Sequence, residues 1–184
     1  MTKTRIIIVS PIGDIGQWVS QTIAKEVSKF FKFNARVETV LDDIFFAYNP
    51  DRKQYHSTKI LEALEKKAPV DCIKIIAVTK EDLFIPILTH VYGEAQLGGK
   101  SCIISIARLI AGLEIETRVV VKESRRIVKE AIHELGHTFD LRHCDDQRCI
   151  MHYCRSLTDV DRKSSQFCRY CTIFLADNIR DFCR

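Results

Sequence analysis

Long apolar runs, glycine, proline and repeats are all scarce in this chain, and each shortage removes a class of protein. No stretch approaches about 18 uninterrupted apolar residues, so nothing reads as a membrane-spanning helix. There are only seven glycines and four prolines among 184 residues. With no internal repeat, low-complexity tract or Pro/Ser-rich linker, the chain offers no seam, and its length predicts one domain over residues 1–184. Neither sign of charge dominates: 28 basic against 24 acidic residues leave a formal charge of +4. Basic residues come in small clusters such as Lys122–Lys129, interrupted by Glu123, and a solvated helix face accounts for them. Arg52-Lys53 beside Tyr55 falls short of a basic stripe with interleaved aromatics, so nucleic acid is not an expected partner. Met1–Ile12 lacks the basic stretch, long apolar segment and small-residue cleavage site of a signal peptide. The expectation is a cytoplasmic protein whose thiols stay reduced.

What is present is concentrated between residues 133 and 171. His133-Glu134-Leu135-Gly136-His137 sets two imidazoles four residues apart, just over one helical turn, so that both leave the same face with Glu134 beside them. His143 follows six residues after His137. Three histidines leave one position of a tetrahedral zinc open to water, which the metal acidifies to a pKa of about 7, whereas structural zinc normally takes four protein ligands. The spacing therefore points to catalytic zinc. Histidines at this spacing also arise by accident on solvated helices, and the helix supplies an independent test. Ile127, Val128, Ala131, Ile132, Leu135 and Phe139 fall in one arc, while Arg126, Glu130, His133, Glu134 and His137 fall opposite.

The cysteines that follow form two pairs, Cys144/Cys149 (C-x4-C) and Cys168/Cys171 (C-x2-C). Such pairs about twenty residues apart read as a closed four-thiolate zinc site; disulfides among them are the competing reading, since eight cysteines is an even number. A metal staple has an evident task, because residues 138–184 hold few apolar runs beyond Thr172–Ala176. Cys72 and Cys102 sit in apolar runs and read as buried thiols. Cys154 and Cys183 carry no assignment.

The order of these residues, with a cysteine directly after the third histidine, C-x4-C-x-M through Met151 and a later C-x-x-C, resembles the archaemetzincin family of metallopeptidases. The resemblance runs from Ile132 to Cys171, and Asn49–Tyr55 also looks like this family, without a catalytic role. It implies a compact metzincin-like α/β domain in which His133, His137 and His143 bind catalytic zinc. By the same resemblance Glu134 is the general base and acid, Met151 lies in a Met-turn under the metal, and Cys144, Cys149, Cys168 and Cys171 hold a second zinc. Two departures stand out. Metzincins carry glycine three residues after the second histidine, where the chain takes a positive φ; here Asp140 occupies that place, feasible at roughly 1 kcal/mol. The core Met151-His152-Tyr153 resembles the astacin branch, which makes Tyr153 either a candidate donor to the transition-state oxyanion or an ordinary packed tyrosine. His152 is expected at the surface or behind the ligands.

The remaining pattern supports α/β architecture with a mostly parallel, twisted sheet. Arg5–Val9 reads as a buried strand, Pro11-Ile12-Gly13 as a turn, Ile15–Phe31 as a helix, Ala35–Val40 as a strand, Ser57–Lys66 as a helix and Cys72–Val78 as a strand. Thr89–Leu97 reads as an edge strand over the cleft and Ser101–Ala107 as another strand, ahead of a long zinc-binding helix. An edge above a metal can pair with an extended peptide, or it is simply a protected sheet edge. The expected division is an N-terminal subdomain, residues 1–137, and a small zinc-stapled C-terminal one, residues 138–184. The resulting expectation is a peptidase with two zinc ions per chain, cleaving a peptide or protein substrate through a zinc-bound water. The alternative is a zinc-stabilised peptide-binding or regulatory module with a blocked or narrowly specific cleft. Against it stands Glu134, which a site that only binds does not require.

Overall fold

Near-continuous β-branched runs need apolar cover on both faces, and the fold supplies it. The computed structural model describes residues 5–110 and 117–183. Its main sheet has the order β2-β1-β5-β8-β7, with β1 Ile6–Ile12, β2 Asn34–Val37, β5 Cys72–Thr79, β7 Gly93–Ala95 and β8 Ser101–Ser105. The first four are parallel, and β7 pairs antiparallel with β8 at the edge. Alternation sends Ile7, Val9, Ile76, Val78 and Ile104 to one face, where they meet α1 (Gln17–Phe31) and α3 (Thr117–Thr138). Ile8, Ile75, Ala77 and Ile103 go to the other face and meet α2 (Ser57–Lys67) through Ile60, Leu61 and Leu64. Burying each such side chain contributes about 1.5–3 kcal/mol, which makes this sandwich the frame for everything at its edge.

A second, small sheet has the order β3-β4-β6, from Tyr48–Asn49, Gln54–His56 and Leu83–Phe84. Its strands are too short for a period-2 signal. Three boundaries differ from the sequence reading. β1 continues through Pro11 to Ile12, and the turn falls at Gly13, with φ 71°. Val9 accepts from Glu38 on the β2 side, so Pro11, two residues on, faces that side where β2 has ended, and its missing N–H leaves no ladder bond unmade. β2 stops at Val37 rather than Val40. The edge strand is only Gly93–Ala95, with an isolated bridge between Val91 and Leu83.

The C-terminal segment wraps the polar side of α3. It carries α4 (Leu157–Arg162), opened by a reciprocal cap between Ser156 and Asp159, and α5 (Arg169–Cys183), whose Cys171 and Leu175 reach the core. The solvated face expected for Lys122–Lys129 is not what α3 presents where its side chains are described. Arg126 and Lys129 are buried. Arg126 grips both Asp161 oxygens at 2.7 Å, and Lys129 Nζ donates to the carbonyls of Val160, Asp161 and Lys163. Charge that a helix wheel assigns to water is spent on holding a second layer.

Candidate metal centre and cleft

The end of α3 determines where three imidazoles meet. Asp140 takes φ 63°. With it in the left-handed region, Leu141 N–H returns to the Gly136 carbonyl and Asp140 N–H to His137, the paired bonds of a Schellman cap. Aspartate thus makes the turn expected of glycine, and the chain leaves the helix toward His143. The ring nitrogens of His133, His137 and His143 lie within 4.8 Å of one another. His133 Nδ1–H donates to the Ile150 carbonyl at 2.9 Å and His137 Nδ1–H to Leu141 at 2.6 Å. A carbonyl only accepts, so in each neutral ring Nε2 carries the lone pair, and the two Nε2 atoms face each other at 3.1 Å. Two lone pairs at that distance repel unless a cation lies between them. Burial, then the Lys163 charge, holds His133 well below the usual histidine range; burial takes His137 down to about 4, although its Leu141 hydrogen bond opposes. Neutral imidazole is the form that binds metal.

These residues line a cleft of about 670 Å³, with β7 on one side and Tyr153 to Arg155 on the other. Glu134 is buried at its floor. Burial, then the neighbouring Glu130 carboxylate, pushes its carboxyl well above the ordinary range, against the pull of Lys163. Gly93 allows this approach: a Cβ there would lie 2.6 Å from Glu134 Cγ. Beneath the histidines Met151 is fully buried, with Sδ where a Cβ on Gly136 would come within 2.6 Å. The glycine inside the H-E-x-x-H run is the hollow that receives this methionine. Tyr153 is 43% exposed and its ring centre lies 5.0 Å from that of His143.

The family model of peptidase family M54 matches residues 1–177. The chain belongs to that family, the archaemetzincins. Archaemetzincin from Methanopyrus kandleri is 41% identical over 135 residues, 73% of each chain. The crystal structure of that organism's archaemetzincin superposes with a TM-score of 0.79 at 30% identity, covering 97% of both chains. A zinc-dependent peptidase from Methanocorpusculum labreanum gives 0.79 at 29% identity, over 92% of this chain and 99% of that one. This archaemetzincin is accordingly a zinc metallopeptidase.

A second cluster of potential ligands in this M54 peptidase adjoins the first, since Cys144 follows His143. The sulfurs of Cys144, Cys149, Cys168 and Cys171 lie within 4.8 Å of one another, with Cys144 and Cys168 3.7 Å apart. No disulfide joins the described cysteines, and the four converge on one point as a ligand set does. A tetrahedral zinc with Zn–S bonds of about 2.3 Å has sulfur edges of about 3.8 Å, the separation that Cys144 and Cys168 show. Although burial works against it, the Cys171 N–H and the surrounding thiols hold Cys168 below its ordinary pKa; burial, then Cys149, pushes Cys171 far up. Four thiolates cannot share this space without a cation. His152 Nδ1–H donates to the Cys144 carbonyl at 2.9 Å, behind both clusters. Cys72 and Cys102 are buried thiols as expected, raised by burial. Cys154 Sγ donates to the His152 carbonyl at 3.5 Å and stands apart from the four; the Cys183 side chain lies outside the described residues.

Some groups that shape the archaemetzincin's cleft have partners that the sequence does not reveal. Arg52 donates to the Leu88 and Thr89 carbonyls at 2.6 and 3.0 Å and lies 4.2 Å above the Phe84 ring. Gln54 Nε2 adds a bond to Thr89 and one to Asp82, which Arg108 grips with two bonds of 2.7 Å. The Asn49–Tyr55 segment therefore anchors the loop that supplies Ile85, Leu88, Thr89 and His90 to the cleft wall. Glu130 and Lys163 also line the cleft. The sequence marks Asn49–Tyr55 as family-like, Glu130 as sharing the histidine face and Thr89–Leu97 as an edge, but none of these cues names a partner.

Proposed function

We propose that this chain hydrolyses peptide bonds at a zinc held by His133, His137 and His143, with Glu134 as general base and acid, and that Cys144, Cys149, Cys168 and Cys171 hold a second, structural zinc. The observation that carries the reading is the pair of bare Nε2 atoms 3.1 Å apart, in a cleft where Glu134 adjoins them. Zinc, when bound there, acidifies a water and polarises the substrate carbonyl. The outer side of β7 is a strand edge, able to pair with an extended peptide and hold the scissile bond over the floor of the cleft. Glu134, ionised beside the bound cation, takes the proton of the attacking water, keeps it in its buried setting until the amine nitrogen departs, then delivers it. Tyr153, half-exposed beside His143, donates its hydroxyl hydrogen to the oxygen on which charge develops. Ile150 and Leu141 carbonyls fix the two imidazoles in the tautomer that leaves Nε2 free.

The test is digestion of a mixed peptide library, read by mass spectrometry, beside a Glu134→Ala control of equal zinc content. Turnover is expected to fall by about 10²–10⁴-fold in the control. Equal cleavage by both proteins would remove Glu134 from the reaction, and the fragments show whether cuts fall at an end or inside the peptide.

A further inference from the structure

One turn of α3 before Glu134, the cleft meets a pair of charged side chains that hydrolysis does not use. Lys163, the residue that closes α4, brings Nζ to 3.6 Å from Glu130 Oε2. These side chains are only 1% and 7% exposed, yet both line the cleft. Glu130 Oε2 has no hydrogen-bond partner among the described residues, and Lys163 Nζ has none beyond the Cys154 thiol beside it, a weak acceptor that leaves most of the ammonium's donors open. At 3.6 Å they attract as ions but stand too far apart to share a hydrogen. The backbone of Lys163 is fixed at the end of α4, where its N–H donates to the Asp159 carbonyl and its own carbonyl receives Lys129 Nζ at 2.6 Å.

A buried donor and acceptor with open valences favour a ligand that satisfies both. We propose that Lys163 and Glu130 form a side-chain subsite selecting a carboxamide, the side chain of Gln or Asn, in the peptide being cleaved. Its carbonyl oxygen accepts from the Lys163 ammonium while its NH₂ donates to Glu130. A carboxylate would satisfy Lys163 but face the Glu130 and Glu134 carboxylates, and a cation would satisfy Glu130 but face Lys163. An aliphatic side chain would exclude water and leave both valences empty. Tyr92 and Cys154 complete the cleft wall near the pair, and Arg155 stays over the Tyr153 ring, 6.0 Å from its centre. The inference rests on the reading that this cleft binds an extended peptide.

Zinc-loaded Glu134→Ala protein allows binding to be read without turnover. By calorimetry it would be titrated with alanine hexapeptides in which one Gln, Glu, Lys or Leu is walked through each position. Gln at one position is expected to bind about tenfold tighter than the other three there. Adding Glu130→Gln should move that position's preference to Glu, and adding Lys163→Met should move it to Lys. A pair with a merely structural role would weaken every peptide alike and reverse nothing. Leu binding tightest throughout, one unchanged preference in all backgrounds, or no binding in any of them overturns the subsite. Should Lys163→Met fail to fold, the near-isosteric Glu130→Gln arm decides alone. Turnover by the unaltered protein is measured separately: cleavage without side-chain preference overturns the subsite and leaves the peptidase reading standing.

Discussion

Two glycines, forty-three positions apart in the chain, are required by the same cleft for opposite reasons. Gly136 yields its Cβ space to Met151 Sδ, deep beneath the histidines, where neither the helix backbone nor the fully buried methionine has room to retreat. Gly136→Ala overpacks that contact and is expected to cost about 1–3 kcal/mol, measured by urea denaturation. Gly93 yields instead to Glu134, a side chain that can swing aside. Gly93→Ala should leave the melting temperature almost unchanged while lowering turnover, because the displaced carboxylate no longer faces its proton. A melting-temperature loss as large as that of Gly136→Ala would show that Glu134 is held as rigidly as Met151. Asp140 makes the same point about backbone: an aspartate at φ 63° performs the turn that a glycine performs without steric cost.

Among the elements, the small sheet matters through what it anchors. β6 lies beside β4, and the chain leaving β6 becomes the loop whose carbonyls Arg52 and Gln54 hold over the cleft. Arg52→Ala frees that loop without touching the histidines or Glu134. The expected result is a rise in KM of roughly tenfold, in line with hydrogen bonds to a charged group worth about 1.5–3 kcal/mol, with kcat nearly unchanged. Steady-state kinetics on one peptide checks this, and an equal fall in kcat would mean that the loop also aligns the reacting bond. The contrast with α3 is instructive. Its Arg126 and Lys129 are equally polar in sequence but serve cohesion, tying α3 to α4.

For the molecule as a whole, the sheet with its helices supplies a conventional apolar core, and the C-terminal layer joins it through Ile150, Met151, Phe167 and Leu175 while adding polar links and the cluster of four cysteines. On the proposed assignment, Cys168→Ser should release one of two zinc ions and lower the melting temperature. Metal analysis beside calorimetry tests both, and an unchanged zinc count would dissolve the second site. Lys74 ties the sheet to the end of α3, donating to Gly99 and Thr138 carbonyls at 2.7 and 2.5 Å. Burial lowers its pKa from 10.5 to about 8. Between these values the unfolded chain binds more protons at this site than the folded one, so its contribution to stability rises with pH. The stability of the unaltered protein relative to Lys74→Met is expected to climb between pH 8 and 10.5 and level off beyond. A flat or falling difference would mean that the ammonium keeps its ordinary affinity for protons.

Much of this was legible because it is local. The i, i+4 histidines, the carboxylate between them, the paired cysteines and the helix wheel of α3 follow from helical geometry over a few residues, and β-branched runs announced the parallel sheet. Periodicity also located α1, α2 and β5 to within two residues at either end. What the sequence alone left undecided depends on contacts between distant segments. No local pattern says that Arg52 would reach a loop 36 residues away, that Arg126 and Lys129 would be buried under α4, or that Lys163 would meet Glu130 in the cleft. A charged side chain reads the same in sequence whether it faces water or a carbonyl, because its partner is chosen by the packing of layers. The proposed ligand set was therefore legible residue by residue along the chain, while the shape and charge of the cleft around it were decided only when the sheet brought those layers together.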